Sequence, residues 1–219
     1  MSDELKELLS HSHKTVDDLP DSEKSLCTKC NQLKPRAFSH CSVCGRCCPR
    51  MDHHCPWVHN CIHLTNQATF LSGTFWQLTH GVMIYIYLFN AFFFPNGSTY
   101  WVDHRLKMYF SFFFVAFWMP AGTGYMIVQW FIAFSGRTFL EGLDEATKSK
   151  PKPPRYLLSG WRDHIFVLFG TTNLLSAFFI PRLISTVPVT GLEWSFVKPK
   201  TEPVPMLGFI NDLAKQGVE

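Results

Sequence analysis

The sequence predicts a mainly α-helical membrane protein in which a cysteine-rich domain with little regular structure precedes a hairpin of two transmembrane helices. Three observations lead to this fold class. All eight cysteines lie between Cys27 and Cys61. Two long runs without charged side chains follow, at about 70–94 and 108–134. The rest of the chain, 136–219, becomes polar again and predicts a tail with short amphipathic helices.

The composition limits the class of function. A chain of 219 residues suffices for one domain or two small ones. Its 21 phenylalanines and 7 tryptophans are many for a soluble protein of this length. The net charge of +3 is too small to indicate a nucleic-acid surface. These properties favour a protein that works against lipid.

Residues 1–26 are predicted to form a polar N-terminal tail. They contain no apolar segment of the length found in a cleavable signal peptide. The tail is followed by the cysteine-rich domain, to which we assign residues 27–66.

The cysteines have the spacing of metal ligands. They form three overlapping C-x-x-C pairs with histidines interleaved: Cys27 and Cys30, Cys41 and Cys44, Cys44 and Cys47. Each such turn can place two thiolates on one cation, at about 2.3 Å each. Disulfides are the alternative, but confinement to one segment with histidines favours reduced, zinc-bound thiolates. Two tetrahedral sites would use six cysteines and two histidines, and the spacing does not decide which two thiols remain.

Cys55 is the natural candidate for a remaining thiol with chemical activity. A closed structural zinc site has no open coordination position, so chemistry must come from a side chain outside it. Asp52 and His53 precede Cys55, and Pro56-Trp57 follows it. A thiolate is a strong nucleophile, and an imidazole two residues away can take the thiol proton.

The two uncharged runs are predicted to be membrane spans. Each exceeds the roughly 20 residues with which a helix crosses about 30 Å of hydrocarbon. Two core helices of a soluble protein are the alternative, although such helices rarely stay uncharged for so long. Pro95-Asn96-Gly97-Ser98 is a turn signal between the runs, and Pro120 predicts a kink in the second helix. We therefore assign residues 67–135 to a transmembrane hairpin.

The distribution of basic residues predicts the orientation of this hairpin. Eight Lys and Arg residues precede it, ten follow it, and only Arg105 and Lys107 lie between the spans. The positive-inside rule then places both termini in the cytosol. We expect an integral, multi-pass protein of the endoplasmic reticulum or Golgi rather than of the plasma membrane.

The cytosolic C-terminal region, 136–219, contains one further apolar stretch at 161–184. Gly170, Asn173 and Pro181 interrupt it. We predict short amphipathic helices that pack at the interface, with a third span as the alternative. The last twenty residues are predicted to be extended or disordered.

The cysteine-rich segment resembles that of the DHHC family of protein S-acyltransferases. The resemblance rests on the motif Cys27-x2-Cys30-x9-His40-Cys41-x2-Cys44-x2-Cys47-x4-Asp52-His53-His54-Cys55-Pro56-Trp57-Val58-x-Asn60-Cys61, followed by Asn66 and Phe70. By position, it implies two structural Zn²⁺ ions with interleaved ligands. The first set is Cys27, Cys30, His40 and Cys47. The second set is Cys41, Cys44, His54 and Cys61.

The same resemblance implies an enzyme, a protein-cysteine S-palmitoyltransferase. Cys55 would accept the chain from palmitoyl-CoA, with His53 as its base and Asp52 orienting His53. A cysteine of a substrate protein near the lipid bilayer would then take the chain. Lys34 and Arg36 are candidates for binding the CoA phosphates by charge alone, as are Arg46 and Arg50, and a solvated basic surface is the alternative. Cys48 is left as a spare thiol that packs as a small hydrophobe.

The chain departs from the family pattern in several places. Family members usually have two more membrane helices before this domain, so the resemblance is to a short isoform, a truncated sequence or a two-span protein that needs partners. With two helices, the acyl slot would need a second copy or an accessory subunit. His63 stands where the family has glycine, and His164 where a C-terminal element has asparagine. The family's Thr-Thr-x-Glu element appears as Thr138-Phe139-Leu140-Glu141.

Two other hypotheses stay open, the first of them because of the missing helices. One is a catalytically inactive, zinc-stabilised membrane adaptor related to the family. The other is a zinc finger that binds nucleic acid, which is disfavoured because a membrane span follows the ligands.

Overall fold

The computed structural model of the protein describes residues 2–94, 104–148, 155–156, 158, 160–179 and 189–196. The chain divides into two compact units. The first combines Met1–Phe70 with Phe131–Glu219, and the second is Leu71–Trp130. The cysteine-rich segment and the C-terminal elements therefore belong to one unit, as two distant parts of the chain.

The described residues contain six α-helices and six short strands. The helices are α1 (Asp3–Ser10), α2 (Leu64–Phe93), α3 (Arg105–Ser135), α4 (Phe139–Thr147), α5 (Trp161–Phe169) and α6 (Leu174–Phe179). The strands are β1 (Lys24–Cys27), β2 (Gln32–Pro35), β3 (Phe38–Cys41), β4 (Arg46–Pro49), β5 (His53–Cys55) and β6 (Asn60–Ile62). Single 3₁₀ turns lie at Asp21–Glu23, Pro56–Val58 and Glu193–Ser195.

The cysteine-rich region is more regular than we predicted. Its strands form three separate antiparallel hairpins, β1–β2, β3–β4 and β5–β6. In the first two, a C-x-x-C turn follows the first strand, and the residue after its second cysteine has positive φ: Asn31 at 52° and Gly45 at 66°. Two-stranded hairpins of this length are marginal in water, so they need a further cross-link.

The N-terminal tail folds instead of standing free. The Ser2 hydroxyl caps α1 by accepting from the Leu5 amide at 3.2 Å. Leu5 and Leu8 are fully buried, and His11 stacks on Phe196 with ring centroids 5.3 Å apart. A serine cap followed by leucines three residues apart is a local helix signal in the sequence.

The long helices α2 and α3 contact each other through aromatic side chains. Phe92 lies 5.0 Å from Tyr109 and from Phe112, and Tyr85 lies 5.6 Å from Phe112 between ring centroids. Gly81 of α2 faces Met119 of α3. Later residues of α2 contact earlier residues of α3, so the two helices run antiparallel. The predicted turn at 95–98 lies outside the described residues.

One helix in the described part of the chain is long and apolar enough to cross a membrane. It is Leu106–Ser135, whose most apolar stretch is not buried inside the protein. The sequence predicted two spans. A 30-residue helix, α2, does form over the first of them, but it does not meet the same criteria. Pro120 lies inside α3 without ending it.

The C-terminal stretch at 161–184 is not one continuous helix. α5 ends at Gly170, which has a left-handed φ of 65°, and α6 begins four residues later. Six of the nine residues of α5 are buried, so this helix belongs to the protein core. Its predicted place at the membrane interface stays a prediction. The last twenty residues lie outside the described part.

His164 of α5 holds the end of α3 in place. Its Nδ1 donates to the Phe134 carbonyl at 2.8 Å, and its Nε2 accepts from the Leu158 amide at 2.9 Å. Gly136 lies so close that a Cβ there would be 2.3 Å from the imidazole ring. Burial lowers the pKa of His164 from 6.5 to about 4, so the ring is neutral at physiological pH.

The pKa of His164 predicts a loss of stability in mild acid. Below pH 6.5 the unfolded chain binds a proton at this residue, but the folded chain does not until about pH 4. The difference corresponds to about 3 kcal/mol of unfolding free energy, lost as the pH falls through this window. Denaturant unfolding at several pH values in this window measures the loss of unfolding free energy.

A His164→Asn variant is the control. Its amide can donate to the Phe134 carbonyl in place of the His164 Nδ1 and does not titrate, although it is too short to reach the Leu158 amide. Zinc loss in acid affects both proteins, so the informative quantity is the difference between the two pH profiles. Parallel profiles would contradict the prediction.

Candidate metal centres and thiol site

The first metal cluster is formed by side chains from three strands and one turn. Its ligand atoms all lie within 4.8 Å of one another, in Cys27, Cys30, His40 and Cys47. The His40 Nδ1 is 3.1 Å from the Cys30 sulfur, and the Cys30 and Cys47 sulfurs are 3.8 Å apart. Ligands around a tetrahedral zinc ion are about 3.8 Å from each other, so this cluster fits zinc.

The second metal cluster has the same construction. It consists of Cys41, Cys44, His54 and Cys61. The Cys44 and Cys61 sulfurs are 3.4 Å apart, and the His54 Nδ1 lies 3.4 Å from Cys44 and 3.7 Å from Cys41. His54 and Cys61 are directly opposite residues of the β5–β6 hairpin. The cluster therefore ties this hairpin to the turn between β3 and β4.

The two clusters interleave because adjacent strand residues point to opposite faces. His40 and Cys41 are neighbours at the end of β3, yet His40 belongs to the first cluster and Cys41 to the second. Cys47, opposite His40 in the hairpin, shares its cluster. One hairpin thus supplies ligands to both sites.

The electrostatics of the clusters also favour a bound cation. Burial raises the pKa of Cys47 to about 12, and the nearby Cys27 and Cys30 add to the shift. Burial likewise raises the pKa of Cys61. Cys47 and Cys61 therefore keep their protons unless a divalent ion stabilises their thiolates.

The β5–β6 hairpin separates the metal ligands from the candidate active residues. His54 and Cys61 point to the metal face. His53 and Cys55 flank His54 in the strand, so alternation directs them to the opposite face. The second metal cluster can therefore fix the strand that carries Cys55 without using Cys55.

Asp52 and His53 form the contact expected of a carboxylate and a base. The Asp52 Oδ2 accepts from the His53 Nδ1 at 2.7 Å. Asp52 is completely buried, and its other oxygen accepts from the Phe139 amide at 2.7 Å. This arrangement fixes the His53 tautomer with the proton on Nδ1, which leaves Nε2 as the basic nitrogen.

Cys55 is a free thiol that belongs to neither metal cluster. It is buried, with 3% of its surface exposed. The neighbouring His53 ring meets Phe70 and Phe139 edge-on, at centroid distances of 5.5 and 5.8 Å. The region around the thiol and its base is thus partly apolar.

The contact between Asp52 and Phe139 joins positions 87 residues apart, and the sequence did not reveal it. Phe139 is the first residue of α4, where amide protons lack helical partners. Thr138 and Glu141 form a reciprocal capping box that fixes this helix start. The element Thr138-Phe139-Leu140-Glu141 therefore positions an amide and a helix N-terminus beside the Asp52 carboxylate.

Arg50 is a structural residue, and its proposed role in binding phosphate is wrong. The side chain is buried, and its guanidinium donates to the Gln67 Oε1 at 2.8 Å and to the Gly136 carbonyl at 3.2 Å. It also lies 5.4 Å from the centre of the Tyr156 ring. Arg50 thereby links the segment before Asp52 to the segment that follows α3.

The other basic candidates lie at or near the surface. The Lys34 ammonium donates to the Phe38 carbonyl at 2.5 Å, and Arg36 is exposed. Arg46 is exposed and donates to the Asn60 side chain at 2.7 Å. The locations of these side chains neither support nor contradict a role in binding CoA. That role stays a prediction.

The departure at His63 does not disturb the turn after Cys61. Among the described residues other than glycine, only Asn31, Arg50 and His59 have positive φ, so this position does not require glycine. The Asn66 side chain spans the turn by accepting from the His63 amide and donating to the Cys61 carbonyl. Cys48 is buried and outside both metal clusters, as a spare thiol would be.

Comparison with known families identifies the chain. The DHHC palmitoyltransferase family matches residues 21–146, which include the cysteine-rich region, both long helices and nearly all of α4. No curated protein matches the chain. Since the match covers more than half of the sequence, the chain belongs to the DHHC palmitoyltransferase family.

Proposed function

We propose that the protein is an S-acyltransferase that moves a palmitoyl or similar long acyl chain from acyl-CoA to cysteines of substrate proteins. The observation that carries this proposal is the set of Asp52, His53 and Cys55. A buried carboxylate holds the imidazole, and the thiol on the same hairpin face is kept out of both metal clusters. An inactive adaptor would not need this arrangement.

The reaction would be two exchanges of thioesters. The His53 Nε2 takes the Cys55 proton, and the thiolate attacks the acyl-CoA carbonyl carbon. The bond from that carbon to the CoA sulfur breaks, and the imidazolium gives the proton to the departing CoA thiolate. A substrate thiolate then attacks the Cys55 thioester in the same way and frees Cys55. Asp52 stabilises the imidazolium during each transfer. One thioester replaces another, so no other energy source is needed.

The two Zn²⁺ ions would have a structural role. The first would be held by Cys27, Cys30, His40 and Cys47. The second would be held by Cys41, Cys44, His54 and Cys61. Both coordination shells are complete with protein ligands, so the ions would fix the Cys55 strand rather than bind substrate.

The membrane part of the proposal follows from the acyl chain. Burying about fourteen methylenes is worth roughly 11 kcal/mol, so a site beside apolar helices keeps the chain out of water. We propose that α2 and α3 form a transmembrane hairpin with both chain termini in the cytosol. A second copy or another subunit would complete the acyl slot.

Labelling with a clickable palmitoyl-CoA analogue tests the proposed function. The native protein in detergent should acquire a hydroxylamine-sensitive label, and Cys55→Ser should acquire none. Cys48→Ser is the matched control, because Cys48 is also buried and outside both metal clusters. Its label should equal that of the native chain. Absence of label from native protein that contains two zinc ions would instead support an adaptor.

A further inference from the structure

We propose that the side-chain amide of Asn60 stabilises the negative charge that develops on the thioester oxygen when Cys55 is acylated. The inference rests on the proposed function and adds a residue to the catalytic set. It starts from the register of the β5–β6 hairpin, in which Asn60 is the residue directly opposite Cys55.

The register places both side chains on one face of the hairpin. Directly opposite residues of an antiparallel pair project to the same side, with Cβ atoms about 4.5–5.5 Å apart. The next pair, His54 and Cys61, supplies two ligands of the second metal cluster and so marks the other face. Asn60 therefore shares the face of Cys55 and His53.

Two hydrogen bonds fix the orientation of the Asn60 amide. Its Oδ1 accepts from the Arg46 guanidinium at 2.7 Å and from the Cys61 amide at 2.9 Å. Both partners can only donate, so the oxygen position is determined by chemistry. The Nδ2 hydrogens then point away from these two donors, and no acceptor is paired with them in the described part of the chain.

This geometry suits the charge that acylation creates. When the Cys55 sulfur bonds to the thioester carbon, the carbonyl oxygen becomes an oxyanion. The oxyanion re-forms the carbonyl as the bond from carbon to the CoA sulfur breaks. A donor held beside the nucleophile stabilises that oxygen, and Arg46 strengthens the effect by polarising the amide. Asn60 lies directly opposite Cys55 on this face, and its side chain carries amide hydrogens that can donate hydrogen bonds.

The test compares two reactions of the same thiol in Asn60→Ala. Acylation by palmitoyl-CoA passes through an oxyanion, whereas alkylation by iodoacetamide does not. We expect the maximal acylation rate of Cys55 to fall about 10²- to 10³-fold, as for loss of one such donor elsewhere. The dependence on acyl-CoA concentration and the alkylation rate of Cys55, followed by peptide mass spectrometry, should stay unchanged.

Two further variants control the interpretation. Asn60→Asp keeps the oxygen that Arg46 and the Cys61 amide contact but removes the N–H donors, so its acylation should also fall while two zinc ions remain bound. His59→Asn changes an exposed neighbour and should react like the native chain.

The outcomes separate the inference from the function on which it rests. If Asn60→Ala acylates at the native rate, the inference is wrong and the transferase proposal stands. If acylation and alkylation fall together, Asn60 acts on the thiol or the fold, which also overturns the inference. A native chain that cannot be acylated overturns both.

Discussion

Removing zinc is expected to unfold the cysteine-rich region. The three hairpins have strands of only three or four residues, and each hairpin is separate. The hairpins offer little apolar burial to replace the metal, and structural zinc contributes roughly 10 kcal/mol or more in comparable small domains. Chelation should abolish the far-ultraviolet signature of the strands and release two zinc ions per chain.

Adjacent cysteines provide a matched pair for this prediction. Cys47→Ser removes a ligand of the first metal cluster, so the zinc content should fall from two ions per chain towards one. Cys48→Ser changes the next residue, which ligates neither ion, so both ions should remain. Equal zinc content in the two variants would show that the assignment of ligands is wrong.

Asp52→Asn is expected to lower the acylation rate of Cys55 roughly 10³-fold or more. The oxygen of the introduced amide can still accept from the Phe139 amide, which places the introduced NH₂ group against the His53 Nδ1. The His53 Nδ1 must then accept a hydrogen bond, so the imidazole proton moves to Nε2. Nε2 then has no lone pair with which to take the Cys55 proton. The rate of hydroxylamine-sensitive labelling measures the loss.

The fold should survive this substitution, because the side chain keeps its shape. Zinc content and the unfolding midpoint are therefore expected to stay close to native. Asp163→Asn is the matched control: Asp163 is another buried carboxylate, and it accepts from the Ser2 amide. That variant should label at the native rate. A native labelling rate in Asp52→Asn would exclude a role for Asp52 in orienting the base.

The local parts of the site were predictable because they depend on short spacings. The turns Cys27-x2-Cys30 and Cys41-x2-Cys44 each place two sulfurs in one cluster, and the structure groups the eight candidate ligands as the family resemblance implied. Cys44 and Cys47 have the same spacing but belong to different clusters. Asp52, His53 and Cys55 were likewise identified from their adjacency. The hairpins were missed because strands of three or four residues carry too little hydrophobic alternation to be recognised.

The contacts between distant segments were not predictable from local sequence. The Phe139 amide on Asp52, the Arg50 guanidinium on the Gly136 carbonyl and the His164 ring against Gly136 each join residues far apart in the chain. No local pattern marks a backbone group as the partner of a remote side chain. The sequence alone therefore indicated a surface charge at Arg50, whereas the structure shows that its side chain is buried.

From the sequence, the spacing of cysteines and histidines predicted metal binding, the family resemblance implied the two ligand sets and the thiol outside them, and the uncharged runs predicted the long apolar helices. Only the tertiary structure decided that Asp52 is buried against the start of α4, that Arg50 is internal and that Asn60 lies opposite Cys55. Strand register and buried polar contacts depend on how distant segments pack, and that packing is a property of the whole chain.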